Sequence, residues 1–262
     1  MTTTPTGPLA GRHALITGAG RGIGAAIARR LAADGARLSL LGRQRDALEA
    51  LAAELPAAAC AQVLVCDVTE ADAVANAWSQ AVDAAGPVEI LVNNAGQAAS
   101  APFGRTTDEL WQRMLAVNLT GTFLCTRATL PGMQAAGWGR IVNIASTAGQ
   151  RGYAYVSAYV AAKHGVIGLT RSLALEVAAK GITVNAVCPG YTETDLLRES
   201  LSNVVAKTGR SADESRAEFA RHNPQGRIVQ PEEVADAVAW LCTPAAAAIN
   251  GQSISVSGGE VM

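Results

Sequence analysis

The stretch that decides the fold is His13-Ala-Leu-Ile-Thr-Gly-Ala-Gly-Arg-Gly-Ile-Gly24, followed by Ala25-Ala-Ile-Ala-Arg-Arg-Leu-Ala32. Its first five residues predict a buried strand, and residues 25–32 predict a helix. Between them, the glycines allow the backbone to approach a pyrophosphate, while the helix N-terminus offers free N–H groups and positive potential. The spacing is Gly-x-x-x-Gly-x-Gly, and the strand-turn-helix context favours a dinucleotide site over a purely structural turn.

Beyond this unit, strand-like and helix-like segments continue to alternate. Repeating β-α units predict a parallel, doubly wound α/β sheet of about seven strands with helices on both faces. The ligand crevice of such a sheet lies at the carboxyl ends of its strands. The predicted strands are His13–Thr17, Arg37–Leu41, Gln62–Val65, Glu89–Val92, Arg140–Ala145, Thr183–Val187 and Ser253–Val256, and the predicted helices lie near 22–33, 44–55, 70–84, 108–135, 155–179 and 231–242.

One segment interrupts this alternation between the sixth strand and the last helix. Residues 194–230 contain two amphipathic stretches, Asp195–Ala206 and Ser211–Arg221. An insertion over the carboxyl edge of the sheet favours a substrate lid, and the alternative is a surface helical hairpin without a substrate role. We therefore expect a single domain over 1–262, with a flexible tail at 1–8 and a lid at 194–230.

The composition argues against several functions. A formal net charge of −1 lacks the excess of positive charge that is typical of nucleic-acid-binding proteins. No leader pattern precedes the first strand and no stretch is long and charge-free enough to span a bilayer, so that we expect a cytoplasmic protein. The five cysteines are expected to be buried free thiols. The three histidines lie far apart in the sequence and predict no metal site.

Tyr159 and Lys163 lie four residues apart, so on a helix they share one face. A free phenol has a pKa of about 10 and is a poor proton donor near neutral pH. An ammonium group about 4 Å away, at an effective dielectric constant of about 20, stabilises the phenolate by about 4 kcal/mol, before burial removes part of that gain. The pair therefore predicts a proton donor that works near neutrality, with Ser146 a short distance upstream.

Six motifs together carry a resemblance to a known family. They are Thr17-Gly-x-x-x-Gly-x-Gly24, Asn93-Asn-Ala-Gly96, Asn118-Leu-Thr-Gly121, Ser146, Tyr159-x-x-x-Lys163 and Pro189-Gly190. In their order and spacing the chain resembles the short-chain dehydrogenase/reductases from about Leu9 to Gly259. Within that family it looks most similar to 3-oxoacyl-thioester reductases and polyketide ketoreductases. The resemblance implies a Rossmann fold and an NAD(P)-dependent oxidoreductase.

The resemblance also implies roles for single residues. Tyr159 would exchange a proton with the substrate oxygen, and Ser146 would donate a hydrogen bond to that oxygen. Lys163 would lower the tyrosine pKa and hold the nicotinamide ribose, and Asn118 would position a water for proton relay through Lys163. The implied cofactor-binding residues are Thr17, Gly18, Gly20, Arg21, Gly22, Ile23, Gly24, Arg43, Asp67, Val68, Asn94, Ala95, Gly96, Tyr159, Lys163, Pro189, Gly190, Thr192 and Thr194, with Asn93 as a further backbone-level contact.

The end of the second predicted strand indicates which dinucleotide is bound. An acid about 20 residues after the glycine turn would bind the ribose 2′-hydroxyl of NAD. On aligning the strand with the family pattern, that position is Gly42, and Arg43 follows it. Arg43 and Arg21 could both bind a 2′-phosphate through charge-assisted hydrogen bonds worth about 1.5–3 kcal/mol each. We therefore expect NADP(H) in preference to NAD(H), unless both arginines point to solvent.

The substrate is less determined than the chemistry. The stretches Gly139–Ser146, Gly181–Gly190 and Asn223–Pro231 are most similar to thioester reductases, so that a 3-oxoacyl or 3-hydroxyacyl thioester of coenzyme A or acyl carrier protein is expected. Gln97–Ser100 lacks the Pro-Gly-Gly run of polyketide ketoreductases, and Ala135–Trp138 lacks a docking arginine, which favours coenzyme A. A dehydrogenase of a small secondary alcohol and a non-catalytic dinucleotide sensor are the alternatives.

The resemblance implies a homo-oligomer, most often a tetramer. Family members commonly pair through the two long helices that flank the fifth strand, here near 108–135 and 155–179. The second helix carries small residues that allow close approach across a two-fold axis, and Ser255–Gly259 resembles the segment of a second, apolar interface. The small residues are Ala158, Ala161, Ala162, Gly165 and Gly168.

Overall fold

The predicted parallel sheet is present in the computed structural model, which describes residues 7–262 except for the side chains at 203, 207 and 208. Across these residues, seven parallel strands lie in the order β3-β2-β1-β4-β5-β6-β7. The order reverses between β1 and β4, which is the switch point at which doubly wound sheets bind ligands. Of the predicted tail, residues 1–6 lie outside the described residues. The strands are β1 His13–Thr17, β2 Arg37–Gly42, β3 Gln62–Val65, β4 Ile90–Asn93, β5 Gly139–Ile144, β6 Ile182–Pro189 and β7 Ser253–Val256.

The helices follow the predicted spacing, with one irregularity. The predicted helix near 108–135 is interrupted by a π-helical segment at Ala116–Thr120, between α4 and α5. None of the helices within residues 7–262 combines the length and the apolar character that a membrane crossing needs. The helices are α1 Gly22–Ala33, α2 Arg45–Glu54, α3 Ala71–Ala85, α4 Asp108–Leu115, α5 Gly121–Ala136, α6 Ser157–Val177, α7 Asp195–Thr208, α8 Ala212–Ala220 and α9 Pro231–Cys242.

Successive side chains of each strand enter two separate hydrophobic layers. In β1, Ala14 and Ile16 pack with apolar residues of α1, α2 and α9, whereas Leu15 packs with residues of α3, α5 and α6 on the opposite face. This alternation follows from the two-residue period of a strand. Because both faces are covered, β1 and β6 are buried along their whole length, as parallel sheets require.

A ladder of buried amide and hydroxyl groups ties the ends of β4 and β5 to their helices. Asn93 Nδ2 donates to Thr126 Oγ1 of α5 at 3.0 Å and to Asn143 Oδ1 of β5 at 2.8 Å. Asn143 Nδ2 in turn donates to Thr170 Oγ1 of α6 at 2.9 Å. Asn93 Oδ1 is buried without a hydrogen-bond partner among the described residues, but the three hydrogen bonds that the ladder does make are strengthened by the low dielectric constant of the interior. The ladder therefore fixes where the carboxyl ends of these strands stand relative to α5 and α6.

The insertion between β6 and α9 forms two helices, α7 and α8, as the sequence predicted. Thr194 caps α7 by accepting a hydrogen bond from the Leu197 amide, and Ser211 and Glu214 form a capping box at α8. A parallel bridge between Thr192 and Val229 joins the two ends of the insertion. The two ends of the insertion therefore lie next to each other beside β6.

Replacing Asn143 by Ala should lower the free energy of unfolding by about 2–4 kcal/mol, because the ladder loses two buried hydrogen bonds and their partners are left in the interior. Urea denaturation followed by circular dichroism measures the change. The matched control is Gln134→Ala on the exposed face of α5, which should cost less than about 0.5 kcal/mol. Equal losses in the two variants would contradict a stabilising role for the ladder.

Candidate active site

The carboxyl ends of four neighbouring strands bring the predicted site residues to one edge of the sheet. Thr17 ends β1, Asn93 ends β4 and Pro189 ends β6, while Ser146 follows β5 by two residues. Neighbouring parallel strands end at the same edge, where doubly wound sheets bind ligands. The Asn93 side chain itself points into the buried ladder, so that only its backbone remains for the edge.

The turn after β1 is closed by contacts that glycine permits. Gly18 has a φ of +64°, and a Cβ at Gly24 would overlap the Gly18 carbonyl oxygen and stand 2.5 Å from Asn94 Nδ2. The Asn94 amide group donates to the carbonyl oxygens of Thr17 and Gly18, each at 3.0 Å. The Thr17 hydroxyl accepts from the backbone amides of Asn94 at 3.0 Å and Ala95 at 2.9 Å. These residues clamp the first turn to the loop after β4.

The start of α1 fits a pyrophosphate. Arg21 occupies the N-cap position in an extended conformation, and its side chain makes no hydrogen bond to the N–H groups of the first turn. Those donors are therefore free for an anion, which the helix dipole also favours. A Cβ at Gly20 would stand 3.2 Å from Ala47 Cβ, and one at Gly22 would stand 3.2 Å from Thr194 Cγ2. A side chain at either glycine would therefore be in tight contact with its neighbours, whereas the glycine backbone fits.

Ser146, Tyr159 and Lys163 form one connected group beside β5. The Ser146 hydroxyl interacts with the Tyr159 phenol and accepts a hydrogen bond from the Ala148 amide at 3.1 Å. Lys163 is 4% exposed, and its Nζ lies 5.6 Å from the centre of the Tyr159 ring. Lys163 Nζ also donates to the Ile144 carbonyl oxygen at 2.8 Å. The helical spacing of Tyr159 and Lys163 therefore brings both side chains to the end of the same strand.

Burial controls the protonation of this group. It raises the pKa of the Tyr159 phenol above its ordinary value of about 10, and the hydrogen bond from Ser146 offsets only part of that rise. Burial also lowers the pKa of Lys163 to about 8. The net rise is due to burial, and the expectation that Lys163 lowers the tyrosine pKa stays a prediction. Each group is shifted towards its neutral form.

Asn118 lies in the π-helical segment and is 1% exposed. Its amide nitrogen donates to the Gln97 carbonyl oxygen at 2.9 Å, and its amide oxygen accepts from the Gln97 backbone amide at 3.2 Å. A Cβ at Gly96 would stand 2.9 Å from Asn118 Oδ1 and 3.5 Å from Lys163 Nζ. Asn118 and Lys163 therefore flank the same glycine, and π-helical turns often occur at such functional positions.

The two arginines predicted to bind a 2′-phosphate have different surroundings. Arg43 is exposed, and its Nη1 lies 3.9 Å from Asp67 Oδ2, beside the predicted adenine-binding pair. Arg21 extends instead towards α7, where its Nη1 lies 3.6 Å from Asp195 Oδ2 and 4.0 Å from Glu199 Oε1. Arg43 is thus placed at the expected end of the cleft, whereas Arg21 links the glycine turn to the insertion.

Two predicted cofactor residues are largely packed into the protein. Val68 belongs to the hydrophobic layer of α3, α5 and α6, and Ile23 packs against the opposite layer.

In the loop after β6, Thr192 Oγ1 donates to the Gly190 carbonyl oxygen at 3.0 Å, and Thr194 Oγ1 donates to the Thr192 carbonyl oxygen at 3.2 Å. These two hydrogen bonds hold the backbone of the loop after β6 in one conformation next to the glycine turn.

The structure adds a group of residues that sequence reasoning missed. The Tyr153 hydroxyl donates to Glu260, and His222 Nδ1 lies 4.0 Å from Glu260 Oε1. The Tyr191 ring lies 5.4 Å from the His222 ring, centre to centre. The four residues come from separate segments, so no spacing rule connects them. The only signal near them is the glycine pair before Glu260, where Gly258 has a φ of +62° and indicates a sharp turn.

Comparison with known proteins places this geometry among oxidoreductases. The family described as short chain dehydrogenase matches residues 12–204. A Streptomyces coelicolor protein named as a ketoacyl reductase is 43% identical over 94% of this chain and 95% of its own. The D-beta-hydroxybutyrate dehydrogenase of Cupriavidus necator is 37% identical over 97% of this chain and 99% of its own.

A solved structure agrees with these relatives. The crystal structure of a variant of actinorhodin polyketide ketoreductase with NADPH superposes with a TM-score of 0.92 at 40% identity, covering 97% of this chain and 98% of the other. The fold, the parallel order of the strands and the expected oxidoreductase class are thereby confirmed. The chain belongs to the short-chain dehydrogenase family and is an NAD(P)-dependent oxidoreductase.

Proposed function

We propose that this protein interconverts a ketone and a secondary alcohol with NADP(H), and that its substrate is a 3-oxoacyl or 3-hydroxyacyl thioester. The observation that carries the proposal is the meeting of Ser146, Tyr159 and Lys163 at the end of β5, where the buried Lys163 Nζ donates to the Ile144 carbonyl oxygen and lies 5.6 Å from the centre of the Tyr159 ring. Two hydroxyl groups converge there, so that one substrate oxygen can receive a hydrogen bond from each. A bound nicotinamide would supply or accept the hydride.

In the reducing direction, Tyr159 would donate the proton. Because burial raises its pKa, the phenol keeps its proton at neutral pH, and Ser146 fixes its orientation. Lys163, with a pKa lowered to about 8, can return a proton to the tyrosine near neutrality. Asn118 would hold a relay water, since it lies beside Gly96 and Lys163. Ser146, Tyr159 and Lys163 would act at the end of β5, and Asn118 would act beside the loop after β4.

The preference for NADP(H) rests on Arg43. It lies at the end of β2 beside Asp67, and no acidic residue occupies position 42. A Cβ at Gly42 would meet the nearest atom of Leu48 at 3.5 Å, so packing alone does not require glycine there. Arg21 would contribute only if it left Asp195 and Glu199, which makes it the weaker partner.

The thioester is favoured by the relatives. Ketoacyl reductases and a 3-oxoacyl-[acyl-carrier-protein] reductase of Vibrio cholerae, 39% identical, act by their names on 3-oxoacyl groups. Coenzyme A is preferred to a carrier protein because Ala135–Trp138 offers no arginine for docking. The insertion at 194–230 would close over this substrate as the lid of a single domain, 1–262. Its helices start beside the loop after β6.

A homotetramer would cover the apolar residues on α5 and α6. Leu175 on α6 is 85% exposed, and Phe123 on α5 is also exposed. A Cβ added at Gly168 would meet no described atom within 4 Å outside its own helix, whereas a Cβ at Gly165 would stand 2.8 Å from Leu119. Gly168 therefore leaves open surface for a partner helix, while Gly165 serves packing within the chain.

Tyr159→Phe should lower kcat roughly 10²- to 10⁴-fold with acetoacetyl-CoA and NADPH, because the proton donor is removed. Fluorescence titration should show NADPH binding within about threefold of the parent protein, since the ring and Lys163 remain. The matched control is Tyr155→Phe, four residues earlier and exposed, which should retain activity. Near-normal turnover by Tyr159→Phe would reject the role of the phenol.

Arg43→Ala should raise the KM for NADPH about 10-fold and leave the KM for NADH almost unchanged, because a charge-assisted hydrogen bond to the 2′-phosphate is lost. Steady-state kinetics with both cofactors measure how far the substitution changes each of the two KM values. Arg45→Ala removes a nearby exposed arginine that pairs with Glu49 and should affect neither cofactor. A parent enzyme that prefers NADH would show that Arg43 does not select the phosphate.

Sedimentation velocity at micromolar concentration should give a single species near four times the 26.8 kDa chain mass. Leu175→Glu should shift it to smaller species, because a charge would be buried in the interface. Phe103→Glu, at an exposed apolar residue before α4, is the control and should leave the tetramer intact. A parent protein that sediments as a monomer would exclude the assembly.

A further inference from the structure

A buried arginine lines a cavity at the edge of the sheet opposite the candidate active site. Arg140 is the second residue of β5 and is 3% exposed. Ser146 follows it by six residues. At about 3.3 Å per strand residue, the two positions are roughly 20 Å apart. The Arg140 guanidinium therefore lies outside the group that Ser146, Tyr159 and Lys163 form.

The hydrogen bonds of this guanidinium are incomplete. Its Nη1 donates to the carbonyl oxygens of Gly139 at 2.8 Å and Gly181 at 3.3 Å. Among the described residues, Nη1 is the only nitrogen of the group with an acceptor, and Nε is buried without one. Buried polar atoms are nearly always paired with protein, water or an ion. The edge formed by Nε and Nη2 therefore remains for an acceptor that the described residues do not supply.

The positive charge of Arg140 is not neutralised either. Among the residues that the structure describes, no carboxylate forms an ion pair with it, and the ionisable neighbours that act on it are Cys242 and Arg12. Burial raises the pKa of the Cys242 thiol to about 12, so that this neighbour stays neutral. Arg12 adds a second positive charge, since both guanidinium groups stack on the Trp138 ring, and Glu89 pairs with Arg12. A buried arginine keeps its charge and normally has a partner.

The cavity beside Arg140 has the size and the walls of a small ligand site. Its volume is about 290 Å³, near the lower end for such sites. Thr183 lies directly opposite Arg140 on β6. The Asn250 side chain is already engaged, because it donates to the Ala174 carbonyl oxygen at 3.0 Å and accepts from the Val184 amide at 2.9 Å. The polar groups left for a ligand are thus those of Arg140 and Thr183, and the apolar lining is formed by Ala178, Ile182 and Ala247.

We propose that this cavity binds a small carboxylic acid, whose carboxylate pairs with Arg140 and whose apolar body lies against Ile182 and Ala247. A planar carboxylate matches the free edge of a guanidinium with two parallel hydrogen bonds, and Thr183 can donate a further one. Inorganic phosphate would match the charge but would leave the apolar wall uncovered. The site is separate from the proposed oxidoreductase function and does not depend on it.

The test uses benzoate as the probe and benzamide as its neutral counterpart of the same shape, in ligand-detected NMR titrations of the full chain. Benzoate should bind at least about 10-fold more tightly than benzamide or inorganic phosphate, because charge-assisted hydrogen bonds form only with the carboxylate. Saturating NADPH should change the affinity for benzoate less than about twofold, since charges roughly 20 Å apart are screened.

Two variants locate the binding. Arg140→Gln should weaken benzoate binding at least about 10-fold, because the charged donor is lost. Ala247→Phe keeps Arg140 and places a ring in the cavity, and it should weaken binding to a similar extent. Arg37→Gln is the matched control, since Arg37 lies at the same edge of the sheet and also donates to a backbone carbonyl oxygen, that of Gly11. It should leave the affinity within about twofold.

Several outcomes would overturn the inference. Equal binding of benzoate and benzamide, or phosphate binding as tight as that of benzoate, would exclude a carboxylic acid. Displacement of benzoate by NADPH would place the probe in the cofactor cleft. Unchanged affinity in Arg140→Gln, folded by circular dichroism, would exclude the guanidinium, and if that variant does not fold, unchanged affinity in Ala247→Phe excludes the cavity. A parent protein that binds no benzoate at millimolar concentration would leave Arg140 with its carbonyl contacts alone.

Discussion

The site depends on how closely two backbone turns approach each other. The Asn94 amide bridges the carbonyl oxygens of Thr17 and Gly18, and Gly24 leaves no Cβ between them. A side chain at position 24 would separate the turn after β1 from the loop after β4. The first N–H groups of α1 and the loop that contains Gly96 would then no longer face the same cleft. The rest of the catalytic edge is built around this contact.

Burial shifts the pKa values of Tyr159 and Lys163, the proposed proton donor and its neighbour, in opposite directions. It raises the pKa of Tyr159 and lowers that of Lys163 to about 8, so that each group is shifted towards its neutral form while the lysine still carries a proton near pH 7. A neutral phenol is ready to donate, which suits reduction of a ketone. For oxidation, the tyrosine must first become a phenolate, and the burial of Tyr159 disfavours that state. Any positive charge brought by a bound nicotinamide would act against this bias.

The strands, the helices and the closeness of Tyr159 to Lys163 could be predicted because each depends on short-range patterns. The glycine turn and the Tyr159–Lys163 pair are local in sequence, and the α/β alternation fixes the edge at which they meet. The surroundings of Arg21 could not be predicted, because Asp195 and Glu199 are far away in the chain. The direction of the tyrosine pKa shift also needed the structure, since the balance between burial and attraction depends on three-dimensional packing.

The same distinction separates the cofactor side from the substrate side. The cofactor side is formed mainly by backbone groups and glycines, whose geometric demands leave motifs in the sequence. The group of Tyr153, Tyr191, His222 and Glu260 is formed by side chains from four segments, and no spacing rule connects them. Proteins that share the first half of this site can therefore differ in the second. Membership of the family follows from the motifs, whereas the choice of substrate follows from contacts that no motif records.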